Sequence, residues 1–152
     1  MTARSLCAYI ALALLLLLGL SWYPAGSAPY SESSISASFL VPGSELTSPS
    51  GRYTISLREE TKEDLPYYSI SLYSYQQPAP IQLPESTFRA RDTLFVLWDD
   101  TKDRVWAYSG DIGAYFWDCT DDGTWERYSW QGTGETPPQA LKDARPAYFA
   151  DS

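Results

Sequence analysis

The chain of 152 residues has no histidine and only two cysteines. Without histidine there is no Ser-His-Asp or Cys-His catalytic arrangement and no HExxH zinc motif. The side chain that most often serves as a general base near neutral pH is also missing. Cys7 sits inside an apolar run, which leaves Cys119 as the lone thiol of the remaining chain. No intramolecular disulfide can staple that part, so its stability has to come from packing, and about 110 residues are enough for a real core. One cysteine surrounded by carboxylates makes a poor zinc site. Basic charge is scarce as well, with 11 Lys and Arg against 19 Asp and Glu. Every acid lies beyond residue 28 and only Arg4 precedes it, so the later segment carries a net charge of −9. Such a surface repels nucleic acid and anionic lipid, which excludes the phosphate-binding classes. It confers solubility and favours a basic partner.

What the sequence does contain begins with residues 6–23, LCAYIALALLLLLGLSWY, an almost unbroken apolar run behind Arg4. At about 1.5 Å per residue, a helix of this length spans roughly 27 Å, just enough for a bilayer core of roughly 30 Å. The next basic residue is Arg52, and this asymmetry orients the N-terminus inward and the rest outside the cytoplasm. Two outcomes are open. The run stays as a single-pass anchor, or it is removed as a signal peptide near Ala28, where AGSA (25–28) supplies small residues but Pro29 follows the cut. The expected division is a signal or anchor over 1–28, a tether over 29–34, a β domain over 35–134 and a C-terminal tail over 135–152. The tether falls within the Pro- and Ser-rich stretch 24–34.

Beyond the tether the pattern is that of strands. Residues 35–41 form a first candidate, ended by Pro42-Gly43. In 53–58, Tyr53, Ile55 and Leu57 share one face; in 67–75, Tyr68, Ile70 and Leu72 do the same. These two segments pair around a charged loop, 59–64. Residues 76–84, with three prolines, read as an extended crossover, and 87–92 as an edge strand. Residues 93–98 and 104–108 flank a four-residue loop. Asp99 then faces Arg104, Leu97 faces Trp106 and Phe95 faces Tyr108, while Trp98 meets Val105 and Val96 meets Ala107. Both faces of this pair are apolar, so it belongs in a sandwich, in a barrel or beneath a helix. Residues 137–144 predict a short helix that starts at the prolines. The fold class is therefore mainly β: an antiparallel meander of six to eight strands, forming a sandwich or partly open barrel, with a short C-terminal helix.

The stretch 116–130, FWDCTDDGTWERYSW, is the richest in candidate chemistry. With Asp122-Gly123 as the centre of a type I′ turn, Cys119 faces Glu126 and Asp118 faces Arg127. Trp117 then faces Tyr128, Phe116 faces Ser129 and Tyr115 faces Trp130. Tyr115, Trp117, Tyr128 and Trp130 then share a core face, and Asp118 with Arg127 forms a cross-strand pair. Sharper readings compete with this hairpin. A calcium loop from Asp118 through Thr120, Asp122 and Gly123 would need a glutamate where Ser129 stands. A two-carboxylate hydrolase could draw on Asp99, Asp100, Asp103, Asp111, Asp118, Asp121, Asp122 and Glu126, although most of these lie in turns that favour aspartate for backbone reasons. Trp125, Phe116 and Tyr73, if exposed, could stack on sugar rings or on a partner. Cys119 has acidic neighbours and no histidine to activate it, which suits packing better than nucleophilic attack.

The stretch Ser48-Pro49-Ser50-Gly51-Arg52-Tyr53 resembles the turn that opens blades of TolB-type β-propellers. It also resembles a turn in small, N-terminally anchored bacterial β-proteins. Ser50 stands where that pattern usually has Asp or Asn, and a single copy cannot close a propeller. The resemblance implies a strand after the turn and no activity. The expected function is a noncatalytic interaction or envelope-structural module outside the cytoplasm. A carbohydrate- or peptidoglycan-binding module and a two-carboxylate hydrolase are the alternatives. No catalytic or metal residues are assigned, ligand-binding residues are unknown and no cofactor is implied. The partners are the membrane through residues 6–23 and a protein or glycan, with nucleic acid excluded.

Overall fold

The computed structural model describes residues 39–150. The apolar run, the tether and positions 35–38 lie outside these residues. Among the described residues there are nine strands: β1 (Glu45–Thr47), β2 (Tyr53–Lys62), β3 (Leu65–Ser74), β4 (Gln77–Ile81), β5 (Thr87–Arg89), β6 (Leu94–Trp98), β7 (Arg104–Ser109), β8 (Gly113–Cys119) and β9 (Trp125–Ser129). They are followed by α1 (Gln139–Ala144) and α2 (Pro146–Phe149), so a helix does follow the prolines. One sheet runs β1-β2-β3-β4 with β5 also on β3, and the second runs β6-β7-β8-β9. All pairings between these strands are antiparallel. Among the described residues, no helix is long and apolar enough to cross a membrane.

The period-2 faces of β2 and β3 meet as their sequences require. Ile55 opposes Leu72 and Leu57 opposes Ile70, and all four are buried. They pack against Val96, Val105, Ala107, Tyr115, Trp117 and Trp125 of the second sheet, forming the core between the two layers. The opposite face of the second sheet is buried too. Leu97, Trp106, Tyr108 and Phe116 lie under Phe39, Trp130 and Leu141, and Tyr148 and Phe149 pack against them. The second sheet is therefore a middle layer, which explains why β6 and β7 are apolar on both faces. Their register, Phe95 to Tyr108, Leu97 to Trp106 and Trp98 to Val105, is the one the four-residue loop dictates.

Four sequence readings are corrected. The first concerns 59–64, which is no loop: β2 and β3 run on to a two-residue turn at Glu63-Asp64, with Lys62 opposite Leu65. Both turn residues have positive φ, 52° and 63°, the arrangement of a type I′ turn. The exposed ends of this ribbon bury nothing, so they carry no hydrophobic alternation to be read. Second, the proline-rich stretch 76–84 contains strand β4, which tolerates Pro78 and Pro80 because it lies at a sheet edge with an irregular register. Third, residues 39–41 of the first strand candidate are irregular, although the Leu40 N–H donates to the Val96 carbonyl at 2.7 Å.

The fourth correction is the register of β8 and β9. Cys119 faces Trp125, Asp118 faces Glu126, Trp117 faces Arg127 and Phe116 faces Tyr128, one residue away from the expected pairing. Asp122 does not have positive φ, whereas Gly123 does, at 85°. The Gly123 N–H donates to the Thr120 carbonyl at 2.9 Å and the Thr120 N–H to the Thr124 carbonyl at 2.8 Å. Asp121 to Gly123 therefore make a three-residue loop, a type I turn closed by a left-handed glycine. The slip moves the aromatics to different faces. Tyr115, Trp117 and Trp125 join the inter-sheet core, whereas Phe116, Tyr128 and Trp130 lie on the helix side.

Candidate functional site

Of the carboxylates proposed for hydrolysis, Asp118 and Glu126 stand opposite each other across β8 and β9, with Asp118 held by Arg104 and Glu126 bonded by the Tyr128 hydroxyl, and the others are spread over separate turns. Asp99 accepts from the Thr101 and Lys102 N–H groups and, through its other oxygen, from the Trp106 indole at 3.0 Å. Burial pushes its pKa up, but these hydrogen bonds outweigh that, and it sits below the usual carboxylate value. Asp103 accepts from the Ser50 N–H and hydroxyl and from Arg52, and so ties the turn before β2 to the β6–β7 loop. Here too burial raises the pKa, and the bonds from Ser50 and Arg52 bring the net value below normal. Asp111 accepts from the Ser109 hydroxyl. Asp122 accepts from the Thr120 hydroxyl and the Thr124 N–H within its own turn. Of the calcium-loop candidates, Thr120 and Asp122 are thus spent on turn geometry, Asp118 is bonded to Arg104, and Ser129 lies in β9. Asp100 and Asp121 are exposed loop residues. No group of three or more metal-ligating side chains gathers among the described residues.

The aromatic candidates are also placed by packing. Trp125 and Phe116 are buried, so neither offers a platform, and Tyr73 is half-buried beside Arg58 on the outer face of the first sheet. Cys119 packs at the edge of the inter-sheet core with its thiol 3.7 Å from the Thr120 carbonyl.

No protein family, curated protein or solved structure matches this chain. What it can do must be read from its own surface.

The most unusual electrostatic feature is Arg104 on β7, which is buried although charged. Its Nε donates to Asp118 Oδ1 at 2.7 Å, and Nη2 reaches the second Asp118 oxygen. Nη1 lies 2.6 Å from Glu135, whose carboxylate is also 3.5 Å from Lys102 Nζ. The guanidinium lies 4.1 Å from the centre of the Phe116 ring. Burial would lower the arginine pKa, but the bonds to Asp118 and Glu135 raise it overall, so the charge persists. In turn the Arg104 hydrogen bond holds the Glu135 carboxyl below its ordinary value. The expected Asp118–Arg127 pair does not form: Arg127 turns to the inter-sheet side, over Tyr115, and pairs with Glu85. Only the β7–β8 pairing puts Arg104 opposite Asp118, and nothing in the sequence marks Glu135.

Glu135 pins the segment after β9 to the sheet, helped by the Trp130 indole, which donates to the Glu135 carbonyl at 2.8 Å. Between this segment and α1–α2 lies a groove of about 690 Å³, walled by Trp130, Gly132, Glu135, Lys142, Tyr148 and Phe149. At the open edge of the same sheet, Tyr128 stacks on Phe116 with ring centroids 5.5 Å apart, and its hydroxyl donates to Glu126 at 2.7 Å. Tyr128 is 37% exposed, so the stack ends at solvent.

Proposed function

We propose that the chain is a noncatalytic interaction module held outside the cytoplasm by residues 6–23, either as an uncleaved anchor or secreted after removal of that segment. The observation that supports it best is the fate of the carboxylates. Asp99, Asp103, Asp111, Asp118 and Asp122 are all engaged in bonds that close turns or tie strands, and where two candidates stand opposite each other, Asp118 and Glu126, Arg104 holds the first and the Tyr128 hydroxyl bonds the second. The accessible chemistry instead lies at the β9 edge and in the groove beside it, where Glu126, Tyr128 and Lys142 are available to a partner. A second reading, glycan binding, is favoured by the groove itself, because its aromatic rim with one amine and one carboxylate suits a sugar chain.

Two measurements test these readings. An alkaline phosphatase fused to the C-terminus should be active, and an inactive fusion would reverse the topology. Titration of a glycan panel against tryptophan fluorescence separates the two binding readings: a response to one glycan favours the groove as a sugar site, and a flat response favours a protein partner.

A further inference from the structure

Across the second sheet, cross-strand neighbours form continuous rungs. One runs Leu97, Trp106, Phe116, Tyr128. The next runs Arg104, Asp118, Glu126, and here two acids stand side by side. Opposed residues share a face, and like charges directly opposite are destabilising. Arg104 balances Asp118 but is shared with Glu135, and among the described residues no cation reaches Glu126. Both rungs stop at β9, one on a half-open tyrosine ring and the other on an uncompensated carboxylate.

The backbone of β9 is equally incomplete. The Trp130 N–H donates to Ala114 and the Thr120 N–H to Thr124, so residues 126 and 128 bond inward to β8 by the alternation of an antiparallel ladder. The N–H and C=O groups of Trp125, Arg127 and Ser129 then face outward. The other edges are guarded. β1 and β5 are three residues long, β4 carries Pro78 and Pro80, and β6 is covered where Leu40 bonds Val96 and the Trp98 indole bonds Leu46; the outer side of β2 beyond Leu57 is unpaired but lined with Arg58, Glu59, Glu60 and Lys62. β9 has five residues, no proline and no bulge. Such an edge is a template for another strand.

We infer that the free edge of β9 docks an extended basic segment of a partner protein as a fifth, antiparallel strand. The partner strand places an aromatic or β-branched side chain beside Tyr128 and, two residues later, a lysine or arginine opposite Glu126. Charge selects this occupant over a second copy of the chain. The exposed groups at the edge are Glu126, Asp121 and Asp122, the one cation of β9 is turned inward to Glu85, and the chain beyond residue 28 has a net charge of −9. Two copies would bring like charge to like. The inference rests on the chain being an interaction module and adds the chemistry of its partner.

Isothermal titration calorimetry on the purified full-length chain tests it, with the capped probe Thr-Val-Thr-Tyr-Thr-Lys-Thr-Val-Thr and a twin carrying glutamate for lysine. The wild type should prefer the lysine probe by about tenfold or more, the equivalent of about 1.4 kcal/mol. Glu126→Lys should invert that preference. Ser129→Pro removes an outward N–H and no ladder bond, so it should abolish binding of the lysine probe while leaving the melting temperature unchanged. Full binding by folded Ser129→Pro, or an unaltered preference in Glu126→Lys, overturns the assignment. If Ser129→Pro does not fold, Glu126→Lys decides alone. A free chain that sediments as a dimer, and as a monomer after Ser129→Pro, gives the edge to a second copy and also overturns it. Should the chain capture a membrane protein equally with and without Ser129→Pro, the edge assignment fails while the interaction module stands.

Discussion

Arg104 concentrates much of what single residues contribute here. It brings a charge into a layer of aromatic rings and is tolerated because two carboxylates and the Phe116 ring surround it. Taking away one member of a buried ion network strands the others. Asp118 and Glu135 are 31% and 34% exposed, so water takes over part of the lost bonding, and Arg104→Met should cost about 1–3 kcal/mol in a urea melt; Arg104→Lys should recover only part, since an ammonium cannot bond Asp118 with two parallel N–H groups. A cost near zero would mean that solvent already screens the cluster. The depressed carboxylates set the response to acid. Asp99, Asp103 and Glu135 have lower pKa values in the folded chain than in the unfolded one. Their contribution is complete above the unfolded values of about 4 and disappears as the pH falls through the lower folded values. Melting temperatures should hold steady from neutral pH down to about 5 and then fall steeply below about 4. Replacing Glu135 with glutamine should reduce that drop. At this scale the sequence was partly legible: aspartates in turns were expected to serve the backbone, and Asp99 and Asp122 do. The partners of Asp118 and Glu135 were not, because they depend on strands that meet only after the sheet forms.

Elements were legible wherever burial left a pattern. The β6–β7 pair carries apolar residues throughout, and a single loop length fixes its register to the residue. The β8–β9 pair lies one position away from the register its sequence suggests, for a definite reason. Asp-Gly suits a two-residue I′ turn, but here only the glycine takes positive φ, and a three-residue loop satisfies it equally well. Gathering the aromatics on one face favours the I′ register. That criterion fails in a sheet buried on both sides, where each face has its own apolar layer to fill. The real two-residue turn, Glu63-Asp64, is hidden in the sequence because glutamate is a poor former of the positive-φ geometry it adopts and the pair lacks the Asn-Gly or Asp-Gly signature. That mismatch predicts a gain. Replacing Glu63 with Asn and Asp64 with Gly together relieves the strain at Glu63 and supplies the preferred I′ pair, and should stabilise the domain by about 1 kcal/mol in equilibrium denaturation. An unchanged midpoint would show that the ribbon tip opens independently of the rest.

On the scale of the whole molecule, the C-terminal segment has a different role from the tail its composition suggests. Leu141 is fully buried, and the Tyr148 hydroxyl accepts from the Ala114 N–H at 3.0 Å, so α1 and α2 form the third layer over the second sheet. The close fit is visible at Gly113, where a Cβ would sit 2.5 Å from that hydroxyl. The middle sheet supplies one wall to each of two cores, Trp117 to the inter-sheet core and Trp106 and Phe116 to the helix side. Because β7 and β8 carry residues of both cores on alternate positions, losing one layer should loosen the other, and the domain should melt in one transition. Trp117→Ala should cost about 3–5 kcal/mol and Leu141→Ala about 2–5 kcal/mol, each shifting the whole transition. Far-UV circular dichroism follows the strands and near-UV circular dichroism follows the tryptophans, so the two probes should give coincident midpoints in each variant. If Leu141→Ala splits them, with the near-UV signal lost first and the strands surviving, the helices are an independent cap and the three layers do not fold as one unit.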